Sequence, residues 1–165
     1  MIKIKVTDAH SGFFDRKAII DAIGRSRAAV MSKIGAKVRS HAQSSLKYDD
    51  KSSVAGQPPH VHKKHRITKT SKTTGKTRTR TVSLLRELLE FKWDSTTKSE
   101  VIGPAKAHAV KGIDAPHTLE YGGSASIIDF KNKRHNVNIA ARPFMSPAFA
   151  AEQPGFEALW KDSVK

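Results

Sequence analysis

Apolar side chains follow two rhythms along this chain. Ile19, Ile23, Val30, Ile34, Val38, Ala42 and Leu46 are spaced by fours and sevens, the stripe of an amphipathic helix. The spacing predicts one helix from Asp15, its N-cap, to about Leu46, which at about 30 residues is long for a small domain. Arg25, Lys33, Lys37 and Arg39 lie off the stripe and are expected on a solvated side. Gly24 and Gly35 interrupt it, each costing about 1 kcal/mol relative to Ala, so a bend or a close approach is expected near either.

The second rhythm is alternation. Ile2, Ile4 and Val6 alternate with Lys3, Lys5 and Thr7, a half-buried strand that Asp8, Ser11 and Gly12 end. Leu89, Phe91 and Trp93 alternate with Glu90, Lys92 and Asp94, and Ser95 to Lys98 turns this strand back into Glu100 to Gly103. Gly103 and Pro104 stop that hairpin. A second hairpin is expected from Ser126 to Phe130 and His135 to Ile139, with Lys131 to Arg134 at its tip. Ser83 caps a short helix through Leu84, Leu85 and Leu88, and Ala115 to Tyr121 forms another, ended by Gly122 and Gly123. Ser146 and Pro147 open a C-terminal helix whose apolar face is Phe149, Phe156, Leu159 and Trp160, kinked or split at Pro154 and Gly155. These elements make an α+β chain, expected as one domain over residues 1–165. There is no internal repeat and no heptad array.

One stretch obeys neither rhythm. Pro58 to Val82 carries eight Lys or Arg between His60 and Arg80 and no carboxylate, against a net charge of +15 for the whole chain. Such a block is an interaction segment by default. Thr alternates with Lys or Arg from Lys76 to Thr81, so a projecting basic hairpin is expected. Folded about Thr74 and Gly75, it would set Ile67 against Val82, Thr68 against Thr81, Thr70 against Thr79, Lys69 against Arg80 and Ser71 against Arg78. One face would then be hydroxyl and the other cationic, ordering only against an anionic surface. The alternative is a disordered Lys/Thr-rich loop.

Charge therefore selects nucleic acid, anionic membrane or an acidic protein as partner classes. No apolar run approaches the roughly 18 residues of a membrane span, and the start of the chain lacks a signal-peptide core. A soluble protein made inside a cell is expected, and the absence of cysteine fits a reducing compartment. Gly75 to Thr77 reads GKT, but Thr70 stands where a phosphate loop needs glycine. His60, His62 and His65 have a metal-like spacing, with no carboxylate near in sequence and basic neighbours throughout. His108, His117 and His135 are expected at the surface or core edge. No nucleophile motif and no paired carboxylates point to catalysis, so no enzyme, cofactor or metal is expected. The basic stretch has no aromatic residue for stacking bases, which leaves phosphates or carboxylates as its contacts. Its contact residues are Lys63, Lys64, Arg66, Lys69, Lys72, Lys76, Arg78 and Arg80.

Five motifs in order carry a resemblance. A long N-terminal helix is followed by Ala55-Gly56-Gln57-Pro58-Pro59, then by Leu84-Leu85-Arg86 leading into a strand, then by Val101-Ile102-Gly103-Pro104. Leu119-Glu120-Tyr121-Gly122-Gly123 and Ala141-Arg142-Pro143-Phe144-Met145-Ser146-Pro147-Ala148 complete the pattern. From about Ser11 to its end the chain resembles the phage head-tail joining, or tail completion, family of minor tail proteins. Ala140, where that family usually has proline, and the length of the basic stretch depart from it. The resemblance implies a long helix packed on a small antiparallel sheet and a homo-oligomeric ring, expected as a hexamer, at the neck of a long-tailed virion assembled in the host cytoplasm. Connector, tail-tube and terminator proteins, and packaged phage DNA, become the implied neighbours; no membrane is implied. Arg142, Phe144 and Met145 could meet a neighbouring subunit or the chain's own core. A nucleoid-like nucleic-acid-binding protein is the alternative function.

Overall fold

The computed structural model describes residues 16–62, 65–105, 115–128, 132–161 and 163. The strand expected over Ile2 to Val6 lies outside these residues. The long helix is present as α1, Arg16–Ser45, 30 residues without a break. It is followed by β1 (His65–Thr70), β2 (Thr77–Val82), α2 (Leu84–Leu88), β3 (Leu89–Asp94) and β4 (Ser99–Pro104). Then come α3 (Ala115–Tyr121), β5 (Gly123–Ile128), β6 (Arg134–Ile139), α4 (Met145–Glu152), a 3-10 turn over Gln153–Gly155 and α5 (Phe156–Trp160). Among the described residues the strands pair as sequential antiparallel hairpins: β1 with β2, β3 with β4, β5 with β6. The fold is α+β, a long helix with small antiparallel two-stranded sheets and a C-terminal helical segment. No helix among the described residues is long and apolar enough to cross a membrane.

The core forms along the C-terminal half of α1. Val30, Ile34, Val38, Ala42 and Leu46 are buried and meet Leu89, Val61, Phe144 and Ala148. The β3–β4 hairpin covers one side of this stripe and the α4–α5 segment the other. His41 of α1 and Glu152 of α4 add a 2.9 Å contact across that second side. The stripe was expected to be buried along its whole length, but Ile19 and Ile23 are 45% and 50% exposed. Among the described residues the packed elements reach only as far up α1 as Arg27, stacked 5.9 Å from Trp93, and Ser26, which donates to the Ser163 carbonyl.

Of the two glycines in α1, Gly35 has a packing reason. A Cβ there would lie 2.9 Å from both Phe91 Cδ2 and Glu100 Oε1, whereas nothing stands within 4 Å of one at Gly24. The helix therefore approaches β3–β4 through a notch, and the expected alternatives resolve to close approach. Glu100 pays for that notch: both carboxylate oxygens are buried without a hydrogen-bond partner among the described residues, and burial pushes the carboxyl's pKa up.

At the C-terminal end the split is where Pro154 and Gly155 predict it. The expected apolar face is only half used. Phe156 and Leu159 pack on the core, while Phe149 is 46% and Trp160 42% exposed, because Met145 and Ala148 take the core-facing positions of α4.

Two stability outcomes follow from the notch. Gly35→Ala gains about 1 kcal/mol of helix propensity but overpacks the interface, which costs about 1–3 kcal/mol. A net loss is expected in urea unfolding, and a gain would remove the notch as a constraint. Glu100 binds its proton more tightly folded than unfolded, so its penalty is absent below the unfolded pKa and complete above the folded one. Glu100→Gln should therefore raise Tm at neutral pH by about 2–4 °C, the effect of about 1 kcal/mol in a chain this size, and lose that advantage in acid.

Candidate interaction site

The basic stretch is rooted in the core at both ends. Val61 is buried, its N–H donates to the Lys47 carbonyl, and it forms a parallel bridge with Tyr48. Val82 and Ser83 are buried at the other end. Between them the hairpin is present, but its register differs by two from the expected one. The Cα partners are His65 with Val82, Ile67 with Arg80, Thr68 with Thr79, Lys69 with Arg78 and Thr70 with Thr77. The cause is the turn. A two-residue turn about Thr74 and Gly75 needs a left-handed backbone at both, which a β-branched threonine resists. Instead Ser71 closes the loop: it exchanges backbone contacts with Lys76 at 3.0 Å and Gly75 at 2.9 Å, and its hydroxyl accepts the Thr74 N–H. Only Gly75 takes a positive φ, +65°.

A shift of two preserves the faces. Thr68 and Thr79, and Thr70 and Thr77, are hydrogen-bonded pairs at 3.1 Å on one side of the ribbon. Arg66 shares that side by register, opposite Thr81, so the hydroxyl face has a cation at its root. Arg78 and Arg80 belong to the other side. Arg66, Lys72, Lys76 and Arg78 are exposed, Lys63 and Lys64 lie outside the described residues, and so does the side chain of Lys69. Arg80 is committed within the chain: its Nη2 donates to Glu87 Oε1 of α2 at 2.8 Å. That pair is half-exposed and worth at most about 1 kcal/mol.

Behind Arg80 is an open cleft that the sequence does not announce. Arg39, expected on the solvated side of α1, instead lines this cleft with Arg80, Arg86 and Tyr48, and its Nε donates to the Leu89 carbonyl. Arg86 lies over the Tyr48 ring at 4.9 Å, and its carbonyl accepts from Gln43 Nε2 at 2.8 Å. No sequence motif joins residues 39, 48, 80 and 86; the bonds of Arg39 and Gln43 to the Leu89 and Arg86 carbonyls bring α1 to this place.

Three of the sequence motifs meet at a second place, and it is structural. The turn Val54 to Gln57 points the Gly56 N–H at the Ala141 carbonyl, 2.8 Å away. Arg142 donates its backbone N–H to Leu119 at 2.6 Å and its Nε to the Ser53 carbonyl at 3.1 Å. Gly122, with φ +75°, passes so close that a Cβ would meet the Ala141 nitrogen at 3.0 Å. Glu120, only 7% exposed, accepts the N–H groups of Phe144 (2.8 Å), Met145 (3.0 Å) and Ser146 (2.7 Å) and the Ser146 hydroxyl (2.6 Å). The start of α4 is thus capped from α3, not by Ser146 as expected: the helix begins at Met145, and Ser146 and Pro147 sit in its first turn. Phe144 fills the core at 1% exposure and leaves no free surface for a neighbouring subunit, while Met145 packs beside it.

The histidines gain neighbours that the sequence did not place. His60 Nδ1 lies 2.8 Å from the Lys51 carbonyl and 3.8 Å from Asp49, and His62 lies 3.5 Å from Asp50. No group of three or more possible metal ligands gathers among the described residues. No protein-family model matches the chain, and neither a curated protein nor a solved structure matches it.

Burial is the largest influence on Glu120 and raises its pKa, but the bonds from Phe144, Ser146 and Met145 together outweigh it and hold the carboxyl below its ordinary 4.5. A depressed folded pKa gives stability that is present above the unfolded value and lost as pH falls through the folded one. Glu120→Gln should cost about 2–3 kcal/mol in urea unfolding at neutral pH, because N–H groups at a helix start lose a charged acceptor. The gap between wild type and variant should close as pH falls below 4.5. A gap independent of pH would mean that the carboxylate charge contributes nothing to the cap.

Proposed function

We propose that this chain is a structural protein of a long-tailed virion, a head-tail joining or tail completion component that forms a ring of its own copies at the neck. It acts by shape and charge. The observation that carries the proposal is the junction around Arg142, where motifs from residues 55–59, 119–123 and 141–148 bond to one another. Motifs that far apart in the chain have a common physical reason to occur together, so the resemblance rests on one three-dimensional unit. An α+β fold with the long helix against an antiparallel hairpin is also what that resemblance implies.

The ribbon supplies the contact. Its exposed cations stand clear of the core, so several copies in a ring would present a crown of positive charge whose weak contacts add by avidity. An acidic protein ring is the preferred partner, since a strongly cationic channel would retain DNA that must later leave. The exposure of Arg66, Lys72, Lys76 and Arg78 also fits the second reading, a nucleic-acid-binding protein contacting phosphates.

Native mass spectrometry separates the two readings. A closed oligomer is expected, and a monomer that binds duplex DNA with a steep salt dependence would favour the second. In the phage, Arg66, Lys72, Lys76 and Arg78 all changed to Glu should reduce joined particles by roughly tenfold or more, leaving filled heads beside separate tails. Thr68, Thr70, Thr77 and Thr79 changed to Ser keep the cross-strand hydroxyl pairs and should join normally. Equal defects from the two sets would sink a charge-based contact.

A further inference from the structure

The cleft at the ribbon's root has the construction of an anion site. Arg39, Arg80 and Arg86 line it with one carboxylate, Glu87, so the group is cationic. Each guanidinium is positioned by a contact that leaves donors unused among the described residues. Arg39 is held through Nε on Leu89, Arg86 by the face of Tyr48, and Arg80 through one Nη2 on Glu87. Side chains fixed in this way lose little further freedom when an anion arrives, and the planar guanidinium fork matches a carboxylate in two places.

We propose that this cleft binds a side-chain carboxylate on an acidic segment of a neighbouring protein, with Arg39 and Arg86 as its donors and Glu87 as an internal competitor at Arg80. Two observations favour a carboxylate over a nucleic acid. Arg39 and Arg86 are partly buried in the cleft, where a carboxylate on a flexible side chain can be seated without moving the backbone that carries it, as a phosphate fixed in a rigid duplex cannot. The ring of Tyr48 is covered by Arg86 and so offers that face to no unpaired base. The Arg80–Glu87 contact at 2.8 Å is itself a carboxylate held in this cleft.

The inference rests on the assembly reading only in that a neighbouring protein supplies the carboxylate. The test uses the full chain, fluorescein-labelled oligoglutamate and a duplex DNA of similar charge, compared by fluorescence anisotropy at near-physiological salt. Arg86→Lys keeps the charge but not the fork, and should weaken oligoglutamate by about tenfold while leaving duplex binding within about twofold. Glu87→Gln removes the competitor and should tighten oligoglutamate by about threefold or more, a gain that misfolding cannot produce. No oligoglutamate binding by the wild type, no response to either variant, or equal changes for duplex and peptide would each overturn the cleft as a carboxylate site. A chain that forms rings yet ignores oligoglutamate loses this inference alone; one that binds it through Arg86 as a monomer loses the ring reading alone.

Discussion

The Glu120 carboxylate, buried at the end of α3, accepts three successive backbone N–H groups and a hydroxyl from the start of α4, and the course of the C-terminal third follows from it. A helix start is a cluster of unsatisfied donors, and Phe144 at the cap position has no side chain to meet them. Because the acceptor comes from another helix, capping also fixes where α4 lies. With α4 in place, Phe144 and Ala148 enter the core against α1, and the chain between β6 and α4 is drawn past Gly122 and Gly56. One charged group thereby joins segments that the sequence keeps more than twenty residues apart.

Glu100 shows how much of this depends on donors and how little on residue type. It too is a carboxylate pressed into an interface, against Gly35 and Phe91, but no hydrogen bond among the described residues meets it. Its pKa moves up where that of Glu120 moves down. The same desolvation acts on both, and the helix N-terminus reverses its consequence in one of them. Glu120 is therefore a buried carboxylate that stabilises the fold, and Glu100 one that strains it.

Elements governed by local spacing were legible in the sequence. The four- and seven-residue spacing gave α1, alternation gave β3–β4, and Pro154 with Gly155 gave the split after α4. What failed depended on partners distant in the chain. Ile19 and Ile23 continue the stripe without being buried, since periodicity marks a face and not what covers it. Ser146 has the residue type of an N-cap, and a stronger acceptor more than twenty residues away took that place. Arg39 sits off the stripe, as a solvated side chain does, yet the Leu89 carbonyl holds it in a cleft that it lines with Arg80 and Arg86. The ribbon's register differs through turn chemistry: Ser71 closes the loop, and Gly75, with its positive φ, lies near the loop's end instead of at its centre.

The ribbon's stability poses a problem that its two ends resolve. Lys69 faces Arg78 across the strands by register, and a lone two-stranded hairpin with like charges opposed is marginal in water. Threonine pairs at 3.1 Å on the other side offset part of that repulsion, and burial of Val61 and Val82 fixes the two ends of the stretch, which lowers the entropy cost of pairing the strands. Anchoring of this kind sorts the cations into two populations. Lys72, Lys76 and Arg78 towards the tip, and Arg66 at the root of the hydroxyl face, are exposed and solvated, suited to long-range attraction that salt screens. Arg39 and Arg86, held by Leu89 and Tyr48, are partly buried, where an ion pair is screened less, while Arg80 beside them is exposed and already paired with Glu87. The cleft cations come from three elements, Arg39 of α1, Arg80 of β2 and Arg86 of α2, so their spacing is set by tertiary packing, while that of the ribbon's own cations is set by strand register.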